Sequence, residues 1–235
     1  MTVETILSEL RNKGSESIKR IFLKHGIKEP LFGVRIEDLK VIQKRIKKDY
    51  QLSKDLYATG NADAMYLAGL IAEETKMTKK DLQTWVEQAE SSTICGSIVP
   101  WIAAESNFGY EMALKWIDSP TVFIAIAGWS TLSSLVAIKE DRELDIAAIK
   151  KLLSRVEGTI HTSENRVRSA MNLFVIAVGS YVIPLSTSAM EVARKIGAVE
   201  VTRTGTACKV PDAGEYIKKV TARGILGKKR KMARC

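Results

Sequence analysis

The sequence predicts an all-α protein built from antiparallel helix pairs, and three observations support that class. Apolar residues recur at helical spacing through most of the 235-residue chain. Gly, Pro, Asn and Ser interrupt these stretches and divide them into about twelve helices. Helix pairs recur about every 35 to 45 residues, which is the period of HEAT-like repeats. We therefore expect an α-solenoid of about six helix pairs with an extended concave face; a compact helical bundle is the alternative.

The N-terminal half is predicted to contain six helices, bounded by capping and helix-ending residues. The first follows Thr2 and ends at Gly14, and the second runs from a Ser15 cap to Gly26. A loop containing Pro30 comes next. The remaining four predicted helices cover residues 34–49, 52–59, 62–75 and 79–89.

The stretch from Ser91 to Ser106 lies mid-chain between two similar series of helices. Four apolar residues have the spacing of a buried helical stripe: Ile94, Ile98, Trp101 and Ile102. Cys95, Gly96 and Glu105 lie off the centre of this stripe, on faces that could line an active centre if the stripe is more than core. We expect the helix to bend at Pro100, because proline removes a backbone hydrogen bond.

The C-terminal half is predicted to be helical apart from one segment. Predicted helices cover residues 108–117, 121–138, 144–156, 161–182 and 185–197, and Gly158 is predicted to end the third of them. Residues 199–210 alternate β-branched and polar side chains around Thr204 and Gly205, which is typical of a short hairpin or an extended loop. A final helix is predicted after Pro211.

The positive charge is concentrated at the C-terminus. The formal net charge is +9, and the chain from Lys218 onward carries eight basic residues and no acid. We assign residues 1–226 to one helical-repeat domain and residues 227–235 to a basic tail. So local a cluster favours a polyanion such as nucleic acid as partner. KKRK at 228–231 also resembles a nuclear import signal, and a solvated tail is the alternative.

Candidate DNA-binding residues come from two basic clusters. The first is the tail, with Lys228, Lys229, Arg230 and Lys231. The second is the outer face of the predicted helix 34–49, with Lys44, Arg45, Lys47 and Lys48. Lysine-rich outer faces of amphipathic helices are commonly only solvated, which is the alternative for the second cluster.

A third group of candidates lies in the predicted helix 161–182. Arg168 and Asn172 are four residues apart and share a helix face, and Arg166 lies close by. Arginine and asparagine together can hold a phosphate and a base or sugar edge. The alternative is an arginine salt bridge to Glu164 and a buried asparagine bonded to the backbone.

Several classes of function lose support from the sequence. Cys95, Cys208 and Cys235 are widely spaced and odd in number, which favours reduced thiols over a disulfide framework. His25 and His161 lack the spacing of zinc ligands. P-loop, GxGxxG, HExxH and GxSxG motifs are absent from the sequence. We therefore expect no metal and no cofactor.

Nothing in the sequence predicts a membrane protein. The longest apolar run, 173–185, is interrupted by Gly179 and Pro184 and is shorter than the roughly 20 residues of a membrane span. The N-terminus carries acids and an amphipathic pattern, unlike a signal peptide. We expect a cytoplasmic protein, associated with the nucleoid if it is bacterial, with no membrane partner.

Motifs in two parts of the chain carry a family resemblance. Residues 91–101, with SIVP at 97–100, and residues 116–139 are similar to the AlkD-like DNA alkylation repair family. The segments RVRSAMNLFVIAVGSYV, TACKVPDAGEYI and GKKRK together resemble one branch of the same family. Members of this family consist of HEAT-like repeats that cradle duplex DNA, so the resemblance implies that fold and a DNA partner.

The resemblance also implies an activity whose usual residues are replaced in this chain. Active members remove positively charged alkylpurines, and a carboxylate directly before SIVP stabilises the sugar cation. The corresponding residue here is Gly96, and the tryptophan expected four residues earlier is Ser92. Leu173 stands where the family has a second active-site tryptophan, and Ile126 stands where it has an arginine of the DNA-facing helix. Only the aromatic residue at Phe123 is kept in kind.

We therefore expect a DNA-binding member of this family, with duplex, damaged or branched DNA held on a concave basic face. One alternative is an active N-glycosylase that uses another acid, for which Glu105 and Glu164 are the candidates. Each could instead be an ion-pair or surface carboxylate. The other alternative is a protein-interaction scaffold whose basic tail is incidental.

Overall fold

The computed structural model describes residues 1–202 and 210–234, and this part of the chain is all helical. It contains thirteen α-helices and no strand. The helices are α1 Val3–Lys13, α2 Glu16–Lys24, α3 Ile36–Ile46, α4 Tyr50–Ala58, α5 Ala62–Ile71, α6 Lys79–Glu87, α7 Val99–Glu105, α8 Gly109–Trp116, α9 Val122–Ile138, α10 Ile146–Thr159, α11 Asn165–Tyr181, α12 Ser186–Ile196 and α13 Ala213–Ala222. The turn of the predicted hairpin, at 204 and 205, lies outside the described residues.

The helices form two rows. From α3 to α13 each odd-numbered helix contacts the next odd-numbered one, so that α3, α5, α7, α9, α11 and α13 lie side by side. The even-numbered helices from α4 to α12 pack against this inner row and cover its other side. The predicted array of paired helices is thereby confirmed, because each pair places one helix in each row.

Helix α9 lies at the centre of the inner row. It is a 17-residue, almost entirely apolar helix that packs against α7, α8 and α11. Its Trp129 is buried, and the ring centroid lies 5.3 Å from that of Phe174 on α11. A helix that is apolar on all sides is stable when neighbours cover most of it, so the sequence of α9 requires helices packed around it.

Short polar side chains begin most of the helices, as the sequence indicates. Asn61 caps α5, where its Oδ1 accepts hydrogen bonds from the backbone N–H groups of Asp63 and Ala64. The end predicted at Gly158 is wrong by a small margin, because α10 continues to Thr159. An isolated glycine inside an amphipathic helix is tolerated at a cost of about 1 kcal/mol.

A π-helical segment, Ile94–Ile98, directly precedes α7. The sequence predicts a bend at Pro100, and the structure places the irregularity one turn earlier. Pro100 has no N–H, so the carbonyl four residues before it loses its helical partner. The wider turn of the π-helix closes with the bond from Val99 N–H to the Ile94 carbonyl. This segment carries Gly96, and the wider turn sets the direction in which residues 92–97 face.

The longest apolar stretch makes a sharp corner. Among the described residues no single helix is long and apolar enough to cross a membrane. Helix α11 and residues 183–196 together have the length and apolar composition of a membrane span, but the chain bends by 117° between them. The Ser186 hydroxyl stabilises this corner by donating to the Gly179 carbonyl at 2.9 Å.

We predict that Gly128→Ala destabilises the protein. A Cβ at this position of α9 would lie 2.7 Å from the Ile117 nitrogen and 3.0 Å from the Ala113 oxygen, both backbone atoms. The expected loss in the free energy of unfolding is about 1–3 kcal/mol, as for other overpacked sites. Urea unfolding measures it, and a variant as stable as the parent chain would contradict this close approach of α8 and α9.

Candidate functional site

A cleft opens between four segments that are far apart in sequence. Its volume is about 500 Å³. The end of α2, the π-helical segment, α9 and α11 each contribute one wall. The lining residues are Leu23, Lys24, His25, Gly26, Ser92, Thr93, Gly96, Ser97, Ile126, Ser130, Arg166, Ser169, Ala170, Leu173 and Val201.

This cleft brings together the positions that the family resemblance singles out. Gly96, Ser92, Leu173 and Ile126 all line it. They come from three different elements, so their convergence is a property of the tertiary structure. A Cβ on Gly96 would meet only the Ile126 Cγ2 atom, at 3.9 Å. The cleft is therefore open where active members carry a carboxylate.

A buried carboxylate holds the loop between α2 and α3. Asp63, on α5, is 3% exposed and accepts backbone N–H bonds from Phe32 at 2.6 Å, Gly33 at 3.1 Å and Val34 at 3.0 Å. Burial raises the pKa of Asp63, although these three N–H donors oppose that effect. The Gly33 carbonyl in turn accepts from Ser15 N–H at 3.1 Å, at the start of α2.

Basic and hydroxyl groups dominate the polar lining of the cleft. Lys24 and Arg166 are exposed and contribute two positive charges, and His25 adds an imidazole. Five hydroxyls line the cleft as well: Ser92, Thr93, Ser97, Ser130 and Ser169. None of the described lining residues is an Asp or a Glu. Such a lining suits a polyanion that accepts hydrogen bonds.

The two acids considered from the sequence lie outside the cleft. Glu105 ends α7, about two helical turns beyond Ser97, and its Oε1 accepts the Ala233 N–H at 2.7 Å. Glu164 caps α11, where its Oε2 accepts the Arg166 N–H at 2.7 Å. Each carboxylate is therefore engaged with the backbone.

The three candidates on α11 have different surroundings. Arg166 is exposed and lines the cleft, as expected of a residue that contacts a ligand. The Arg168 Nε donates to the Ser163 carbonyl at 2.8 Å. Asn172 is completely buried, and its Nδ2 donates to the Pro211 carbonyl at 2.8 Å. The alternative interpretation, a buried asparagine bonded to the backbone, describes the contacts of Asn172.

The basic residues at the end of α3 lie away from the cleft lining. Arg45 forms an ion pair with Glu9 of α1, and Lys48 pairs with Glu74. Lys44 and Lys47 are exposed. The cluster is thus partly engaged in contacts between helices.

The basic tail also contains both engaged and exposed residues. Lys229 is nearly buried, with 9% of its side chain exposed, and its Nζ lies 2.8 Å from Asp141 Oδ1. Lys228 and Lys231 are exposed, and the Arg230 backbone N–H donates to the Ala137 carbonyl at 2.8 Å. The tail therefore lies against the helical domain over residues 227–234.

Cys95 has the properties of a core side chain. It is completely buried one residue before Gly96, and burial raises the pKa of its thiol to about 12. Nucleophilic cysteines need a depressed pKa and solvent access. Within the described part of the chain, no three His, Cys, Asp or Glu side chains are arranged to hold a metal ion.

Comparison with known proteins identifies the family. The sequence matches the family described as DNA alkylation repair enzyme over residues 6–217. The chain belongs to this DNA alkylation repair family. Its relatives include the uncharacterized proteins Lmo0209 of Listeria monocytogenes, 31% identical over 228 residues, and Lin0241 of Listeria innocua, 30% identical over 228 residues. Each alignment covers 95% of this chain and 99% of the relative.

A solved structure supports the same assignment. It is described as a new family of proteins related to the HEAT-like repeat DNA glycosylases with affinity for branched DNA structures. The match covers 100% of both chains, with 38% sequence identity and a TM-score of 0.92. The HEAT-like repeat fold predicted for this member of the DNA alkylation repair family is thereby confirmed.

Sequence reasoning missed the contribution of α2 to the cleft of this family member. Lys24 and His25 precede a glycine at the end of an amphipathic helix, which is an ordinary pattern for a helix C-terminus. Their place in the cleft beside Gly96 and Arg166 arises from contacts between distant parts of the chain, and no local signal in the sequence encodes it.

We predict that Gly96→Ala leaves the fold intact and does not reduce stability. The added Cβ has open space, and alanine is favoured over glycine in helical segments by up to about 1 kcal/mol. The measurement is the melting temperature of Gly96→Ala, compared with those of the parent chain and of Gly128→Ala. A loss as large as that of Gly128→Ala would mean that the cleft is closed at Gly96.

Proposed function

We propose that this protein binds duplex or branched DNA in the cleft between α2, the π-helical segment, α9 and α11, and that it does not excise alkylpurines. The observation that carries the proposal is the lining of the cleft. Lys24 and Arg166 supply positive charge and five side-chain hydroxyls supply hydrogen bonds, whereas the described lining residues include no carboxylate.

The charge of the cleft supports a phosphodiester ligand. Lysine and arginine side chains bind DNA phosphates, and release of counterions from the DNA then drives binding. Serine and threonine hydroxyls also donate to phosphate oxygens. The cleft is lined by several helices of an extended array, which favours a long ligand over a small enclosed molecule.

The missing carboxylate supports a binding role without base excision. In the active relatives that the sequence resembles, a negative charge faces the developing sugar cation. Such a charge contributes a few kcal/mol to lowering the barrier, which is roughly two to three orders of magnitude in rate. Gly96 supplies none, and the carboxylates of Glu105 and Glu164 are engaged with backbone N–H groups. The cleft is electrostatically suited to phosphate and poorly suited to stabilise a cation.

The similarity to the solved structure supports branched DNA as a ligand. That protein is described as having affinity for branched DNA structures, and it is 38% identical over its entire length. A junction exposes phosphates from several duplex arms, so a groove several helices wide can contact more than one arm. We therefore expect a four-way junction to bind more tightly than a linear duplex of the same length.

We predict that the double variant Lys24→Met and Arg166→Met weakens DNA binding about tenfold or more at moderate salt and lowers the dependence of log K on log salt by about 2. The matched control is Lys80→Met with Lys150→Met, which removes two exposed charges from α6 and α10 in the outer row. Fluorescence anisotropy with a labelled junction and a labelled duplex measures both affinities over a salt series.

Equal losses in the two double variants would contradict the proposed site, since overall charge alone would then explain the affinity. A parent chain that binds neither DNA at low salt would contradict the proposed function itself.

We predict that the purified protein releases no methylated purine from heavily methylated duplex DNA under conditions in which an active alkylpurine glycosylase does. Chromatography of the released bases is the measurement. Release above the spontaneous rate would contradict the proposal, and its loss on Glu164→Gln would then identify the acid in use.

A further inference from the structure

The C-terminal segment, residues 227–234, lies across one edge of the inner row of helices. Its backbone N–H groups bond in order to three different helices. Gly227 N–H donates to the Ser180 carbonyl near the end of α11 at 2.9 Å, and Arg230 N–H donates to the Ala137 carbonyl near the end of α9 at 2.8 Å. Ala233 N–H donates to Glu105 Oε1 at the end of α7, at 2.7 Å.

The side chains of the segment continue the same series of contacts. The Lys229 Nζ donates to the Val136 carbonyl of α9 at 3.0 Å, in addition to its ion pair with Asp141. The Arg234 Nη1 donates to the Leu70 carbonyl near the end of α5 at 2.9 Å. Ala233 is 1% exposed and belongs to the hydrophobic core.

Four of these acceptors are carbonyls in the last turn of a helix, namely those of Ser180, Ala137, Val136 and Leu70, and Glu105 adds a carboxylate at the end of α7. The last four carbonyls of a helix have no partner within the helix, and the C-terminal end carries partial negative charge. A segment that supplies N–H groups and cationic side chains satisfies both requirements. The contacts follow the order α11, α9, α7 and α5, so one extended segment of eight residues serves four neighbouring helices.

We propose that the edge formed by the C-terminal ends of α5, α7, α9 and α11 is a peptide-binding site for the chain's own residues 227–234, which act as a strap that holds the four helices together. Lys229 and Arg234 are its anchors, and the exposed Lys228 and Lys231 are not. The strap does not rest on the proposed DNA binding, because all of its contacts lie within the chain.

The strap joins residues that are far apart in sequence. Lys229 and Val136 are separated by 93 residues, and Arg234 and Leu70 by 164. Stacked repeats otherwise contact only their neighbours. A connection across four helices limits how far the repeats can slide or twist, and the cleft residues on α9 and α11 belong to the helices that it joins.

Two double variants with the same change in net charge separate an anchored strap from a solvated basic tail. One is Lys229→Met with Arg234→Met, and the other is Lys228→Met with Lys231→Met, both in the full chain. We expect the first to lower the melting temperature by about 5 °C or more, because it leaves Asp141 and two helix-end carbonyls without their partners. The second should shift it by less than about 1 °C, as is usual for exposed positions.

Amide hydrogen exchange locates the effect. In the parent chain the N–H groups of Arg230 and Ala233 should exchange slowly, together with the last turns of α7 and α9. The anchor variant should exchange at least about tenfold faster at these sites. Equal melting temperatures in the two double variants, or fast exchange of Arg230 and Ala233 in the parent chain, would overturn the proposal.

Glu105→Ala keeps the test decisive if the anchor variant fails to fold. This change removes the acceptor of the Ala233 N–H and leaves every basic residue in place. We expect faster exchange of the Ala233 amide and a lower melting temperature, whereas Glu111→Ala, an exposed carboxylate on α8, is the control. A Glu105→Ala protein with parent-like exchange at Ala233 would overturn the strap. DNA affinity is measured on the same variants, so that failure of the strap is distinguished from failure of DNA binding.

Discussion

Burial of most of α9 is the constraint on which the rest of this structure depends. The helix carries apolar residues on every side, so it requires neighbours over most of its surface, and α7, α8 and α11 take those places. Because Gly128 has no side chain, the backbone at the end of α8 lies in close contact with the backbone of α9. The same packing places Ile126 and Ser130 of α9 in the cleft. Core packing and the shape of the candidate site therefore have one origin.

The cleft belongs to the fold of the DNA alkylation repair family, but its described lining carries no carboxylate. The family match covers residues 6–217, and the fold agrees with a solved relative over the full length. At the positions singled out by the resemblance, however, Gly96, Ser92 and Leu173 replace a carboxylate and two tryptophans. Under the proposed function, the lack of negative charge among the described lining residues favours the phosphate backbone over a sugar cation. The change affects the chemistry of the site and leaves its frame in place.

The basic residues of the chain serve different physical roles that their sequence does not distinguish. Lys228 and Lys229 are adjacent in a run of four basic residues, yet one is exposed and the other is nearly buried against Asp141. Likewise Arg166 lines the cleft, whereas Arg168 donates to the Ser163 carbonyl. Net charge alone therefore overstates the surface available to a polyanion, because part of it stabilises helix ends and contacts between repeats.

The sequence by itself determined the helical class, the approximate bounds and caps of most helices, and the family, because these depend on local periodicity and short motifs. The family resemblance also predicted that Gly96 occupies the position of a catalytic carboxylate. Only the tertiary structure decided that Lys24 and His25 join Gly96 and Arg166 in one cleft, that Asn172 is buried, and that Lys229 and Arg234 bind helix ends. These outcomes depend on contacts between residues far apart in the chain, for which periodicity and composition carry no signal.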